Sequence, residues 1–422
     1  MDKTMIIEAL SDWNPWRKEL NTGFERKGYM EKLGSLHRSG QIITITGVRR
    51  SGKSTLMRQY MKKIAAKHGA DKILYVNFEE PLFSGATFDT LSLIYSAYRE
   101  IVNPSGRVFL FLDEIQKVNG WEKFVRPLHE KGEADIFVSG STSNLIGADY
   151  GTLLTGRHLD MNVFPMSFAE LLELNGINGR KEALMEHYKT VNILREYLQW
   201  GGFPKAVLAK EQRKEILSAY LEDILARDII DKYKVRESTK LRAAAMYYLS
   251  NYASIHSFNS MARFLKISPD TADRFSGYLA ESQLLIFTKK FAYSLKEQTV
   301  NPRKVYCIDN GIREATAFRF SEDSGKAMEN MVAVHLLRSG KKIFYWKQNK
   351  TGHEVDFIVK EGHEITEAIQ VTQGNDPREE RGLRAAEKEL NPKKLTAITM
   401  EETKTAYDNQ ILWKWLLENG SG

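Results

Sequence analysis

Residues 41–55 read Gln41-Ile-Ile-Thr-Ile-Thr-Gly47-Val48-Arg49-Arg50-Ser51-Gly52-Lys53-Ser54-Thr55, a β-branched run that turns through two glycines into a helical pattern. The spacing Gly47-x-x-x-x-Gly52-Lys53-Ser54 is that of a phosphate-binding loop. Glycines let the backbone curl so that its N–H groups face phosphate oxygens, and the helix that follows adds the positive end of its dipole. Lys53 then reaches the outer phosphates and the Ser54 hydroxyl is available to Mg²⁺. The loop as a whole, Gly47 to Thr55, is the candidate ATP site. The apolar run before it and Leu56-Met57-Arg58-Gln59-Tyr60 after it supply the strand and helix that such a loop requires.

Outward from this loop, apolar strand runs at 41–46, 73–78, 108–112 and 135–139 alternate with amphipathic helical patterns at Thr55–His68 and Phe88–Val102. That alternation predicts an α/β fold with a parallel sheet covered on both faces, binding ligands beyond the carboxyl ends of its strands. The third run is followed by Asp113 and Glu114. In nucleotide hydrolases of this design the first acid holds Mg²⁺ and the second polarises the attacking water. Asp113 therefore takes the metal role with Ser54, and Glu114 the base role. The fourth run ends Ser139-Gly140-Ser141-Thr142-Ser143-Asn144, where Ser141 is the candidate γ-phosphate sensor, with simple turn chemistry as the alternative. Arg157, in Thr155-Gly156-Arg157, either answers nucleotide state or forms a surface salt bridge.

The 422 residues, 42% of them apolar, suggest several compact units. The net charge of +7 is compatible with a polyanionic partner but too mild to require one. A single cysteine, Cys307, rules out an internal disulfide and a thiolate metal cluster, and suits a reducing cytoplasm, with a buried, inert thiol expected. No export signal and no membrane span are expected, since no apolar stretch reaches the roughly 18 residues a span needs.

The boundaries read as 1–166 for the ATPase core, 167–237 for a helical lid, 238–310 for a winged helix-turn-helix and 311–422 for a last α/β unit. Trp200-Gly201-Gly202-Phe203-Pro204 breaks the helical texture as a hinge or tight turn. In the third segment helices are expected over 240–254, 258–266 and 269–285, the last capped by Ser268 with Pro269 at its first position; strands at 286–291 and 303–308 flank a polar wing. Arg263, Lys266, Arg274, Lys289 and Lys290 are the candidate nucleic-acid contacts, joined around the wing by Lys296, Arg303 and Lys304. Asp270, Asp273 and Glu281 dilute the third helix, which favours backbone phosphate contacts over base readout. The last segment reads as a helix over 327–337, strands at 342–346, 354–359, 366–372 and 394–399, and helices at 377–390 and 407–418.

The set Gly47–Ser54, Phe-Leu-Asp-Glu-Ile-Gln-Lys-Val-Asn-Gly-Trp-Glu (111–122), Gly-Ser (140–141), Gly-Arg (156–157), Phe-Pro-Met-Ser-Phe-Ala-Glu-Leu (164–171) and Gly-Gly-Phe-Pro (201–204) resembles the bacterial and archaeal AAA+-type ATPases with a C-terminal domain of unknown function. The likeness continues through Arg227-Asp228-Ile229, Lys304 to Gly311 and Glu354-Val355-Asp356-Phe357, nearly the whole chain. It implies an ATPase core, a lid, a winged helix and a terminal fold like the PD-(D/E)xK nucleases. Such a nuclease needs a helix acid, a strand Asp and a Glu-x-Lys pair on the next strand. Glu329 and Asp356 match the first two, but Gln370 and Thr372 stand where the second carboxylate and the lysine belong, and Lys360 is only a remote substitute. A degenerate site that does not cut is therefore expected.

Three functions compete at this stage. The first is an ATP- and Mg²⁺-dependent machine on duplex or branched DNA in repair, recombination or replication, its oligomeric state open. The second is a nucleotide-gated scaffold for protein partners, and the third and least favoured is an active nuclease.

Overall fold

The computed structural model describes residues 2–17, 19–103, 105–141, 154, 156–317, 324–374, 377–403 and 407–418. Thr142, Ser143, Asn144 and Thr155, which belong to the sensor and arginine motifs, lie outside the described residues. The chain divides into two compact units, Met1–Val163 and Phe164–Gly422. Among the described residues no helix is long and apolar enough to cross a membrane.

The first unit is built on five parallel strands, β1 (Ile42–Thr46), β2 (Ile73–Asn77), β3 (Val108–Asp113), β4 (Ala134–Gly140) and β5 (His158–Asn162), in the spatial order β2-β3-β4-β1-β5. Strand period two sorts the side chains onto two faces. Ile43, Ile45, Ile73, Tyr75, Phe109, Phe111 and Phe137 pack against Leu56, Met57, Tyr60, Met61 and Ile64 of the helix Lys53–His68. Ile42, Leu74, Val76, Leu110, Leu112, Ile136 and Val138 pack on the other face against the helices Lys3–Ser11, Phe88–Ile101 and Trp121–Glu130. Each buried aliphatic or aromatic side chain in these layers contributes roughly 1.5–3 kcal/mol. The α/β fold with a parallel sheet is thus as read from the sequence, with β5 as an added fifth strand. Because β4 lies between β1 and β3, its carboxyl end falls between the Gly47 loop and Asp113 (registers Thr46↔Gly140 and Leu112↔Val138).

The second unit opens with the helices Phe168–Leu174, Gly179–Met185, His187–Trp200, Pro204–Leu208 and Arg213–Asp223, continued as a π-helix over Ile224–Asp231. Trp200 ends its helix because Gly201 takes φ +67°. A Cβ added at Gly201 would lie 1.8 Å from Asp309 Oδ1, and one at Gly202 would lie 2.1 Å from the Met166 carbonyl oxygen. Asp309 accepts from the Gly202 N–H (2.7 Å) and the Gly311 N–H (2.8 Å), so the Gly-Gly-Phe-Pro turn is locked to the start of the helix Asn310–Thr316.

Helices Ser238–Ser250, Phe258–Leu265 and Pro269–Glu281 follow, with an antiparallel sheet of β6 (Ser254–His256), β7 (Leu285–Thr288) and β8 (Arg303–Cys307) in the order β6-β8-β7. Ser268 accepts from the Thr271 N–H at 3.1 Å, and Pro269 occupies the first turn, the expected cap. Three expectations fail here, one of them the helix read over 269–285, which ends at Glu281 because Leu285 opens β7. The first helix stops at Ser250, and residues 254–256 pair with β8 through backbone bonds that a longer helix would forfeit. The loop between β7 and β8 is not wholly irregular, since Leu295–Val300 forms a helix.

The last sheet contains β9 (Lys342–Lys347), β10 (Glu354–Glu361), β11 (Glu364–Val371), β12 (Lys394–Thr399) and β13 (Asp408–Ile411), ordered β13-β12-β11-β10-β9. β9, β10 and β11 run antiparallel, while β11, β12 and β13 run parallel. Helices Ser324–Arg338 and Pro377–Leu390 lie beside it. The closing helix expected over 407–418 is corrected to an edge strand, β13, followed by the helix Leu412–Glu418, because Asp408–Ile411 completes the parallel ladder on β12.

Candidate active site

The phosphate loop is shaped by positive φ angles at Gly47 (+148°), Arg50 (+68°) and Gly52 (+103°). Gly47 has no room for a side chain: a Cβ would sit 2.2 Å from the Val163 carbonyl oxygen. Val48, Arg49, Ser51 and Lys53 are buried, Ser54 and Thr55 half-buried and Arg50 exposed. Lys53 Nζ donates to the carbonyls of Gly47 (2.9 Å) and Val48 (3.2 Å), folding its ammonium across the mouth of the loop. The buried Ser51 hydroxyl has no hydrogen-bond partner, a polar atom left for a ligand. Arg49 is turned aside into an ion pair with Glu79 (2.9 Å); burial would raise the Glu79 carboxyl, but the hydrogen bond and charge of Arg49 together with Lys117 outweigh it and hold Glu79 below the usual range.

One strand away on the far side of β4, Asp113 and Glu114 are both buried. Tyr75 Oη donates to Asp113 Oδ2 at 2.6 Å, and Ser139 Oγ donates to Asp113 Oδ1 while accepting from the Glu114 N–H at 3.2 Å. Glu114 has φ +55°, a conformation that a residue other than glycine holds only when its surroundings impose it. Burial pushes its carboxyl up, and the Asp113 charge adds to this; Lys53 and Arg49 pull the other way. A carboxylate poised in this manner suits a proton-accepting or water-orienting role. The Asp113 carboxylate and the Ser54 hydroxyl are oxygen donors of the kind a hard divalent ion takes.

Ser141 is buried at the end of β4. Arg157 lies 3.3 Å from Glu130, the salt bridge that was its alternative reading. Arg263, Lys266, Arg274 and Lys289 are exposed, and Lys290 donates to Asn349 at 2.6 Å.

A second polar centre lies in the second unit. Glu329 on its helix, Asp356 on β10 and Gln370 on β11, three of the four residues singled out for that site, converge and are joined by Glu354 of β10. Thr372 does not join them; its hydroxyl donates to the Gly374 carbonyl at 2.5 Å. The lysine at this centre is neither at 372 nor Lys360. Lys304, on β8, is 2 % exposed and therefore unavailable to DNA phosphates, contrary to its assignment to the wing. Its Nζ lies 2.8 Å from Glu329 Oε1, 2.9 Å from Glu354 Oε1 and 2.8 Å from Asp356 Oδ1. Burial would discharge Lys304, yet Asp356 and Glu329 hold its pKa well above the ordinary lysine range. Glu329 is pushed up to about 8 by burial and by Asp356.

Comparison with known families divides the chain in three. Residues 39–172 match the AAA domain, 191–323 the Domain of unknown function (DUF8612) and 324–416 the Domain of unknown function (DUF4143). An uncharacterized protein of Methanocaldococcus jannaschii is 31% identical over 405 residues, which cover 89% of this chain and 88% of that protein. The chain belongs to the family of that archaeal protein. An uncharacterized protein of Haemophilus influenzae is 28% identical over 347 residues, covering 81% of this chain and 84% of its own. The solved structure of the Aeropyrum pernix Orc1 protein in complex with DNA covers 71% of this chain and 93% of its own at 12% identity with a TM-score of 0.33, a likeness too slight to bear on fold or function.

The match to the AAA domain spans every candidate residue of the first site, from Gly47 through Asp113 and Glu114 to Ser141 and Arg157. That segment is an AAA+-type P-loop domain. The second centre straddles the other two matches, with Lys304 and Tyr306 from one and Glu329, Glu354, Asp356 and Gln370 from the other. Sequence reasoning passed over Tyr75, Ser139 and Arg26, the last of which donates to the Ser51 carbonyl at 3.1 Å. Ser139 was findable, since it precedes the Gly140-Ser141 motif by one residue. Nothing local marks Tyr75 or Arg26, whose roles come from strand pairing and loop packing.

Proposed function

We propose that this AAA+-type chain hydrolyses ATP with Mg²⁺ and couples hydrolysis to rearrangement of its helical and C-terminal segments on DNA. The observation that carries the reading is the buried Asp113–Glu114 pair beside a Gly47–Ser54 loop whose buried Ser51 hydroxyl has no hydrogen-bond partner and whose mouth Lys53 crosses. In this reading the loop amides from Gly47 to Thr55 bind phosphate oxygens, and Lys53 shifts from the loop carbonyls to the outer phosphates. Ser54 and Asp113 hold Mg²⁺, which when bound neutralises phosphate charge. Tyr75 and Ser139 keep Asp113 oriented, and Glu114 orients the attacking water and accepts its proton. Ser141 senses the γ-phosphate, and Arg157 relays nucleotide state once released from Glu130.

The order helix, strand, helix, helix, strand, loop, strand over 238–307 supports a winged-helix reading, with Arg263, Lys266, Arg274 and Lys289 meeting backbone phosphates. The mixed sheet β9–β13 with its helix acid supports a nuclease-like fold without cleavage, lacking the Glu-x-Lys pair. A role in repair, recombination or replication in the cytoplasm, as a monomer or an oligomer, follows by analogy with other proteins assembled from these parts. The test is ATP turnover with duplex, forked and four-way DNA at two salt concentrations. Stimulation that fades with salt supports DNA coupling. Indifference to every DNA favours the second reading, a nucleotide-gated scaffold, for which Tyr293, Leu295 and Val300 (72–79 % exposed) offer an apolar docking surface. Strand cleavage contradicts the degenerate site.

A further inference from the structure

Three carboxylates from different parts of the second unit close on a single atom, the Nζ of Lys304, at 2.8, 2.8 and 2.9 Å. Glu329 arrives from a helix, Glu354 and Asp356 from alternate positions on one face of β10, and the lysine from a different sheet altogether. Gln370 completes the group. Its amide nitrogen donates to Asp356 Oδ2 at 2.8 Å, while its Oε1, on a residue only 7 % exposed, has no hydrogen-bond partner. Tyr306, two residues after Lys304 and so on the same face of β8, donates to Glu329 Oε1 at 2.6 Å. The Val371 N–H donates to Asp356 Oδ2 at 2.9 Å, and Lys347 reaches the outer oxygen of Glu354 from 3.5 Å.

Several carboxylate oxygens with one amide carbonyl oxygen form the donor set of a hard divalent cation. Here the three carboxylate oxygens stand at ammonium distance, 2.8–2.9 Å, whereas Mg²⁺ or Ca²⁺ takes oxygens at about 2.0–2.6 Å. A contraction of about 0.2–0.6 Å for Ca²⁺, or about 0.7–0.9 Å for Mg²⁺, separates the two arrangements. We propose that this cluster is a divalent-cation site filled from within: the tethered ammonium of Lys304 occupies the cation position, so the chain excludes metal there and binds it only when that side chain is removed. The inference goes beyond the ATPase reading and does not rest on it. Its consequence is that β8 is bolted to β10 and to the helix Ser324–Arg338 by a cation that cannot diffuse away, and that metal-dependent chemistry at this centre is closed by Lys304 in addition to the changes at 370 and 372.

The test uses the full chain, free of nucleotide, with Mn²⁺ binding counted by electron paramagnetic resonance for wild type, Lys304→Ala and the double variant Lys304→Ala with Asp356→Asn. The nucleotide site is identical in all three, so differences report on the cluster. Lys304→Ala is expected to bind one Mn²⁺ more than wild type and at least about tenfold more tightly than the double variant, because ligand charge count sets affinity at such sites. Its thermal transition should rise with Mn²⁺ while that of wild type stays fixed. A folded Lys304→Ala that gains no Mn²⁺ overturns the proposal, as does Mn²⁺ binding by wild type that Asp356→Asn abolishes. If Lys304→Ala unfolds in chelator, recovery of a cooperative transition on adding Mn²⁺ or Ca²⁺ supports the proposal, and no recovery with either ion overturns it.

Discussion

Two lysines sit close to carboxylates in this chain, and they are held in opposite ways. Lys53 bonds to the neutral carbonyls of Gly47 and Val48, and the acids one strand away are steadied by the hydroxyls of Tyr75 and Ser139. Lys304, itself buried, bonds directly to the buried Glu329 and Asp356 and to the half-buried Glu354. In the first arrangement the Lys53 ammonium is folded onto loop carbonyls while its charge also acts on Glu114. The second is neutralised by its own fold. The two lysines, both buried, thus differ in the loop carbonyls that Lys53 meets and the three carboxylates that close on Lys304.

The largest effect expected from breaking this contrast is catalytic. Lys53→Ala should lower kcat/KM for ATP by roughly 10³-fold, and Glu114→Gln should keep nucleotide binding while lowering kcat by roughly 10²–10⁴-fold, both read from steady-state turnover and nucleotide titration. Next comes stability. Lys304→Met strips the counter-charge from buried carboxylates and should destabilise the second unit by about 3–5 kcal/mol in urea unfolding, against about 1 kcal/mol or less for Lys53→Ala. Equal losses at the two lysines would erase the distinction.

Asp309 sharpens the comparison, being a buried acid held by backbone N–H groups. Burial raises its carboxyl from the ordinary 3.8 to about 7. Between those values the folded chain keeps a proton that the unfolded chain has released, so this group's stabilisation is full below pH 4 and is lost as pH rises to about 7. Urea midpoints should show that loss, on the order of a few kcal/mol, and Asp309→Asn should abolish the slope. The smallest effect is expected at Tyr75→Phe, which removes one hydrogen bond to Asp113: about 1–2 kcal/mol of stability and up to roughly tenfold in kcat, with a raised Mg²⁺ requirement.

The nucleotide site was legible because its chemistry is carried by contiguous residues. Gly47–Ser54 and Asp113–Glu114 each declare a strand end, and the apolar runs that lead into them fix the sheet. β5 was not, since His158–Asn162 is a mixed, half-buried edge with no continuous apolar run. β13 was missed for a similar reason: Asp-Asn-Gln-Ile is polar, and only pairing with β12 makes it a strand. Glu329 and Asp356 of the second centre followed from the resemblance to a family with a nuclease-like fold, but Glu354 and their lysine did not. Lys304 stands among basic residues of a loop-flanking strand, and a lysine's burial is decided by what the distant β10 and its neighbouring helix bring to it. Three carboxylates 25, 50 and 52 residues further along the chain leave no local mark on the sequence around Lys304.

The account stands most directly on calorimetric titration of ATP into the full chain with saturating Mg²⁺, beside Lys53→Ala. One binding event per chain in wild type, absent from the folded variant, is the predicted result. No uptake by wild type, or equal uptake by both, would contradict it.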